Sequence, residues 1–393
     1  MIKTENQITT QQGIKDLHLK QIYLLCLHGG RLSRAQLRRE MGLSFPSVSA
    51  LVDELIERGV LEETGTAYGS QRGRPSVQLQ VKAGSFAIPV IAMTQSGYRC
   101  RLFDITTDAL EYTFIPYGFN EDAVPRRNGL RCPDFDSLAG PLVQWIDDMK
   151  KRYNLLDMVM TTPGSVDADG VLASSSALLS TPAHFIESIE EAIGLKVYRG
   201  NISDHYTYAE YHYNRSVKDF ALILIHNGVG AAVIRDGLLY ETKPYRAGEF
   251  GHISIDYKGK PCLCGGVGCL ERYISTTALA EDSGMDYPTL CKRYLEGDPK
   301  VTAFMQGRAE LLVAGISNML TMQPVQQIVL GGEIRDLGEP FLNMLRQCIE
   351  RIGFRRLMRG LEVRYAISAE GAEMSGALWN FIENQMSMVN FVN

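Results

Sequence analysis

Residues 247–271 read AGEFGHISIDYKGKPCLCGGVGCLE. One imidazole, His252, is followed after nine residues by Cys262, after one more by Cys264 and after four more by Cys269. A Cys₃His set matches the closed four-coordinate preference of structural Zn²⁺, and Gly265, Gly266 and Gly268 let the backbone fold around an ion. The other reading is a loop of reduced, unligated thiols, but clustered exposed thiols are open to oxidation. With four protein donors no position stays open for a catalytic water, so the expected ion is structural.

Two carboxylates flank this set. Glu249 precedes His252 by three residues and Glu271 follows Cys269 by two, so a metal-fixed loop carries both to one locale. Carboxylates accept from adjacent sugar hydroxyls with charge assistance, and a fixed loop keeps the ordering cost low. Taken singly, each is also readable as an ordinary surface acid.

Outward from this loop, strand-like and helix-like runs alternate. Residues 86–92, 100–103, 158–161, 220–225, 230–234 and 327–330 read as strands, and 137–153 and 301–320 as helices. That alternation predicts an α/β domain, with two lobes joined near residues 201–210. Gly228-Val229-Gly230 is followed by a short apolar run and no long helix. It therefore reads as a β-hairpin tip and not as a dinucleotide fingerprint. Amides at such a tip can cradle phosphate, although most glycine-rich tips are simply tight turns.

The N-terminal segment differs. Residues 13–28 predict a helix ended by Gly29-Gly30, and Ser33 caps a second over 34–41 that Gly42 stops. A third opens at Ser44 or Phe45 with Pro46 in its first turn, and Val48, Leu51, Val52, Leu55 and Ile56 mark its buried face. Two helices around a glycine turn form the helix-turn-helix pattern, which would point Ser44, Phe45, Ser47 and Ser49 at bases. A three-helix module that binds protein has the same periodicity. The next segment favours DNA: strand-like residues 60–63 and 76–80 are joined by TGTAYGSQRGRP, a wing with two arginines and no acid. Arg72 and Arg74 suit a narrow minor groove, while Arg34, Arg38 and Arg39 are placed to hold phosphates.

With 393 residues, 45% hydrophobic and 22% charged, the chain is an ordinary globular one with two or three packing units, which excludes disordered and fibrous classes. No apolar run approaches the ~18–20 residues of a membrane span, and the N-terminus has no apolar signal core, so a cytoplasmic protein without membrane insertion is expected. The net charge of −5 argues against nucleic-acid binding over the whole surface. The charge is uneven, however. Residues 1–80 hold 10 Lys/Arg against 8 Asp/Glu, the remainder 30 against 37. A neutral-to-basic module on a larger acidic domain fits that split.

GEFGH followed by CLCGGVGCLE resembles the signature of the ROK family (repressors, open reading frames and kinases), and the winged helix with its RGRP wing resembles the NagC/Mlc/XylR-type repressor branch. The likeness runs in order through PGSVD, residues 201–210, NGVG, the cysteine cluster, IVLGGE and residues 371–378. It implies an actin-like or hexokinase-like domain of two duplicated βββαβα lobes, with a sugar in the cleft and zinc bracing its edge. By matching position, Asn201, Glu249, His252 and Glu271 would contact the sugar, and Pro163-Gly164 would let backbone approach it. Family kinases carry a DxGGT-like turn for ATP phosphates and an Asp directly after the Asn as general base. Here the turn reads PVIAMTQSGYR and the residue after Asn201 is Ile202, which cannot take a proton.

The expected organisation is a winged helix-turn-helix over residues 1–82 and a two-lobed ROK domain over 83–393. The expected function is a regulator of carbohydrate genes, a repressor without kinase activity. Its partners would be double-stranded operator DNA, a sugar or sugar-phosphate effector and further copies of itself, as a dimer or tetramer. Two alternatives stand beside it: a carbohydrate kinase with an added DNA-binding module, and a regulator controlled by a protein docking on the large domain.

Overall fold

The computed structural model describes residues 10–67, 76–120, 122–167, 169–174, 176–240, 249–369 and 371–391. At the N-terminus lie α1 (Gln11–Gly29), β1 (Leu32–Ser33), α2 (Arg34–Met41), α3 (Phe45–Glu57), β2 (Leu61–Ala67) and β3 (Ser76–Val81), with the strands ordered β1-β3-β2. The local signals work as chemistry predicts. Ser33 forms a reciprocal capping box with Gln36, Gly42 ends α2 in the left-handed region at φ 67°, and the Ser44 side chain accepts from the Ser47 amide at the start of α3. Arg72 and Arg74, the predicted wing arginines, lie outside the described residues.

The large domain contains two five-stranded sheets of the same design. In the first, β4 (Ala87–Met93), β5 (Gly97–Asp104), β6 (Ala109–Pro116), β9 (Met158–Thr162) and β13 (Val197–Asn201) are ordered β6-β5-β4-β9-β13. In the second, β14 (Phe220–Ile225), β15 (Val229–Arg235), β16 (Leu238–Leu239), β17 (Gln327–Gly332) and β18 (Glu362–Tyr365) are ordered β16-β15-β14-β17-β18. Both sheets read antiparallel, antiparallel, parallel, parallel along that order. Two lobes therefore repeat one topology, the duplicated actin-like arrangement. The central strands AIPVIAM and FALILI are buried along their whole length because helices cover both faces.

Other elements complete the lobes. Strands β7 (Arg126–Arg127), β8 (Leu130–Arg131), β10 (Ser165–Val166), β11 (Leu172–Ser174) and β12 (Leu179–Ser180) form a small sheet on the first lobe. Helices α4 (Phe135–Lys150), α5 (Phe185–Ile193) and α6 (Ile202–Tyr213) belong to that lobe by sequence. In the second are α7 (Glu271–Ile274), α8 (Thr276–Ser283), α9 (Tyr287–Leu295), α10 (Pro299–Met322), α11 (Gly338–Ile349), α12 (Arg355–Met358) and α13 (Ala372–Asn380). No helix among the described residues is long and apolar enough to cross a membrane.

The helices that close each repeat change sides. Helix α6 leaves the first sheet and packs on β14 and β15, whereas α13 leaves the second and packs on β4 and β9, and the two cross each other between the lobes. Gly376 makes the crossing possible, since a Cβ there would stand 1.8 Å from the His205 carbonyl oxygen. Behind α13 the chain continues into a tail seated against the N-terminal module. Phe381, Met386, Met388 and Phe391 share one core with Leu19, Ile22, Tyr23 and Leu55. Polar ties hold the module on both the tail and the first lobe: Arg58 donates to the Met388 carbonyl at 2.6 Å and the Val389 amide to Asp16 at 3.1 Å, while Tyr23 donates to the Ile105 carbonyl of the first lobe at 2.6 Å.

Candidate functional site

His252 stands in the 3₁₀ turn Phe250–His252, and the cysteines follow on a small hairpin with bridges Ser254–Cys269 and Pro261–Val267. Gly268 adopts φ 71°, and a Cβ there would meet the Asp256 carbonyl at 1.7 Å, so the hairpin folds back only with glycine. The donor atoms of His252, Cys262, Cys264 and Cys269 all lie within 4.8 Å of one another. His252 Nδ1 is 3.6 Å from Cys262 Sγ, and Cys264 Sγ is 3.6 Å from Cys269 Sγ. A tetrahedron with metal–sulfur bonds of about 2.3 Å has edges of about 3.8 Å, so the set fits one four-coordinate metal ion. Burial and the neighbouring thiols push Cys269 up to about 12, and a cation is the group that would favour its thiolate.

Between the lobes opens a cleft of about 940 Å³, and all five residues expected to contact a sugar, Gly164, Asn201, Glu249, His252 and Glu271, line it. With Nδ1 toward Cys262, the His252 ring turns Nε2 toward Glu249, 3.7 Å away. Burial raises the Glu249 carboxyl above its ordinary value, and nearby Glu271 adds to this while His252 opposes it. Asn201 is already employed: its amide donates to the Gly164 carbonyl at 3.0 Å and its oxygen caps α6 by accepting from the Ser203 amide at 2.8 Å. Gly164, at φ 75°, admits the neighbouring strand, since a Cβ would stand 2.1 Å from the Ala173 carbonyl. Glu271 is no surface acid. It is buried and accepts from the Val229 amide at 2.9 Å, which ties the metal hairpin to the β14–β15 turn.

That turn is the Gly228-Val229-Gly230 hairpin tip read from sequence, with Leu224 opposite Gly230 and Ile225 opposite Val229. A carboxylate already occupies its Val229 amide. Close by, Glu333 accepts from Thr276 at 2.9 Å and lies 3.9 Å from His226 Nδ1. The His226 imidazole holds the Glu333 carboxyl below its ordinary value, so it is ionised at neutral pH. On the opposite wall Arg99 pairs with buried Glu373 at 2.6 Å. Ile202, at the first position of α6, faces the cleft, and Asp204 is not among the lining residues. His226, Glu333 and the Arg99–Glu373 pair escaped sequence reasoning. Glu333 alone carried a signal, as the last residue of IVLGGE.

On the N-terminal module Ser44, Phe45 and Ser47 are exposed at the start of α3 and Ser49 is half-buried. Arg38 and Arg39 are exposed on α2. Arg34, expected from sequence to hold a phosphate, instead donates to Asp53 at 2.6 Å and to Glu63 at 2.8 Å, bracing α3 against β2. The spacing could not reveal this because its partners are on other elements.

The ROK family model matches residues 136–384, well over half of the chain. The chain belongs to the ROK family. It is 23% identical over 376 residues to the DNA-binding transcriptional dual regulator NagC of Escherichia coli K12, covering 91% of this chain and 90% of that one. Over 392 residues it is 23% identical to the xylose repressor of Bacillus subtilis, covering 97% and 99%. Among solved structures, a ROK family transcriptional regulator described as a homologue of E. coli Mlc superposes with a TM-score of 0.78 at 22% identity, covering 96% of this chain and 99% of that one. The ROK hexokinase of Thermus thermophilus superposes with a TM-score of 0.59 over 77% of this chain. At these identities the structural likenesses establish the fold: a ROK domain of hexokinase-like build behind an N-terminal winged helix.

Proposed function

We propose that the protein is a DNA-binding transcriptional repressor of carbohydrate genes whose operator affinity answers to a sugar or sugar phosphate in the interlobar cleft. One combination carries the reading: a cleft lined by Asn201, Glu249, His252 and Glu271 has Ile202 where a base is needed, and a winged helix is fused to the same chain. A site that binds a ligand without consuming it suits sensing. The names of the NagC and xylose-repressor relatives support the same reading.

The metal in this reading is Zn²⁺, held by His252, Cys262, Cys264 and Cys269 and supplying only rigidity. It would fix the His252 ring so that Nε2 and Glu249 stand ready for ligand hydroxyls. Residues 1–82 are the DNA-binding domain and 83–393 the sensing domain, acting as a dimer on a two-fold symmetric site, with Arg72 and Arg74 of the wing in the minor groove. Ligand changes DNA affinity only by binding two conformations unequally, and a coupling of about 1–3 kcal/mol corresponds to about 5- to 150-fold.

Phosphoryl transfer is absent in this reading. The hairpin tip has a spent amide and faces Glu271 and Glu333, so a nucleotide phosphate would meet negative charge. The test is a thermal-shift screen of sugars and sugar phosphates, in which a ligand at 100 times its Kd stabilises by about 2.7 kcal/mol, followed by fluorescence anisotropy on promoter DNA with each hit. DNA binding that no hit alters would transfer control to a docking protein, and absence of DNA binding would end the proposal.

A further inference from the structure

The exposed end of α3 has an unusual composition for a helix that reads bases. Between Ser44 and Asp53 the sequence FPSVSALV holds no Arg, Lys, Asn or Gln. These are the side chains that pair bidentately with guanine or adenine in the major groove. The hydroxyls of Ser44 and Ser47 lie 2.8 Å apart and the Ser47 amide donates to Ser44, so the cap takes up part of their hydrogen-bonding capacity. Asp53 is bound by Arg34, and Glu54 by Lys15 and Arg58. The large apolar side chain at the tip is Phe45, the first residue of the helix and 48% exposed, with exposed Pro46 and Ala50 and half-buried Ser49 beside it.

A large apolar side chain held in water at that position has one complementary group on the floor of the major groove, the 5-methyl of thymine. Charge complementarity supports duplex DNA as the occupant, because exposed Arg38 and Arg39 on the preceding helix flank the same end of the module. We propose that Phe45 determines operator specificity by packing on a thymine 5-methyl group in each half-site. This rests on the DNA-binding reading above and adds to it the chemical feature that is read. Polar bidentate readout from α3 is then absent, and the remaining selectivity falls to single serine hydroxyls and to groove shape.

The test uses the full-length chain and duplexes that it enriches from a random-sequence pool. The enriched duplex is resynthesised with uracil replacing thymine one position at a time, which removes the methyl and leaves base pairing intact. Burying one methyl against an apolar surface is worth about a three- to fourfold change in affinity per contact. Wild type should lose about that factor at one position per half-site. Phe45→Ala should bind the thymine duplex more weakly by a similar factor and be indifferent to uracil there. Since Phe45 is solvent-exposed, the variant should keep its melting temperature. Uracil that is neutral everywhere, or an undiminished uracil penalty in Phe45→Ala, would overturn the assignment while leaving DNA binding intact. Failure to enrich any sequence would instead overturn the DNA-binding reading and this one with it.

Discussion

The imidazole of His212 stacks on the indole of Trp379 with ring centroids 4.1 Å apart and planes 19° from parallel. His212 lies in the last turn of the helix that Asn201 caps inside the cleft, and Trp379 in the last turn of the helix that crosses it. The same indole also stacks with His28, in the last turn of the first helix of the N-terminal module, with centroids 5.4 Å apart. A chain of ring contacts thus links the helix that starts at the interlobar cleft to the first helix of the N-terminal module. Any lobe movement that tilts α6 must either carry His28 with it or break this stack.

Trp379→Ala should therefore separate sensing from response. Ligand affinity, measured calorimetrically with a sugar found by screening, should stay within about twofold because Trp379 does not line the cleft. The ratio of DNA affinities with and without ligand should shrink toward one from the about 5- to 150-fold expected of an intact coupling. An undiminished ratio would mean that the signal reaches the winged helix by another route.

Glu383 binds the same cluster together. It accepts from Arg215 at 2.5 Å and from Tyr208, and both His28 and His212 lie 3.7 Å from it. Burial by itself would raise its carboxyl, but the contacts from His212, Tyr208 and Arg215 outweigh that and hold it at about 2. A depressed carboxyl stabilises the folded state above its unfolded value of 4.5, and the gain is lost as pH falls from there toward about 2. Discounted for solvent screening, a shift of that size is worth on the order of 1–3 kcal/mol. Glu383→Gln should lower urea stability by about that amount at pH 7 and much less near pH 3, flattening the acid limb of the wild-type profile. Parallel wild-type and mutant profiles from pH 7 to pH 3 would contradict the assignment.

Cys264→Ser should abolish stoichiometric metal binding, because a set of four donors within 4.8 Å tolerates no loss without opening a coordination position. Elemental analysis of protein purified without chelator should give about one zinc per chain for wild type and a small fraction for the variant. The variant should also bind ligand more weakly, since His252 and, through the hairpin, Glu271 lose their fixed positions. Wild type with less than about one zinc per two chains would reject a standing structural site.

The donors of that site fall within eighteen residues of one another, which is why the sequence alone exposes them. The central strands were legible for a related reason: seven and six consecutive buried residues in β4 and β14 leave a continuous apolar run. Caps such as Ser33 and Gly42 act on their own helices. What stayed hidden depends on distant partners. Arg99 and Glu373 are 274 positions apart, and the two aromatic contacts that link His212 and His28 through Trp379 join three separate helices. Arg34 looked like a phosphate ligand because its carboxylates, Asp53 and Glu63, sit on other elements. Asn201 matched a ligand contact, yet its amide also caps α6 and ties down Gly164. Asn201→Ala is consequently a poor probe of ligand binding alone, since losing a cap costs about 1 kcal/mol.

The proposed absence of kinase chemistry makes a sharper prediction than the absence of one base. Ile202 occupies the first position of α6, where an Asp is well tolerated because the helix N-terminus favours negative charge. Ile202→Asp should therefore fold and place a carboxylate at the cleft wall. A general base contributes roughly 10²- to 10⁴-fold to a proton transfer, so a chain that had lost only the base would regain measurable turnover. This chain should not. The Val229 amide at the hairpin tip remains committed to Glu271, and ionised Glu333 remains beside His226 and Thr276, where a phosphate would need donors. Positioning and charge stabilisation are most of what phosphoryl transfer requires of a protein, and an added base cannot replace them. In a coupled assay with ATP and the sugar identified by screening, wild type and Ile202→Asp should both form ADP at the rate of the Glu249→Gln control. Turnover by wild type above that control would restore the kinase reading. Turnover by Ile202→Asp alone would show that the phosphate-binding side of the cleft is intact and that its two carboxylates do not exclude the nucleotide.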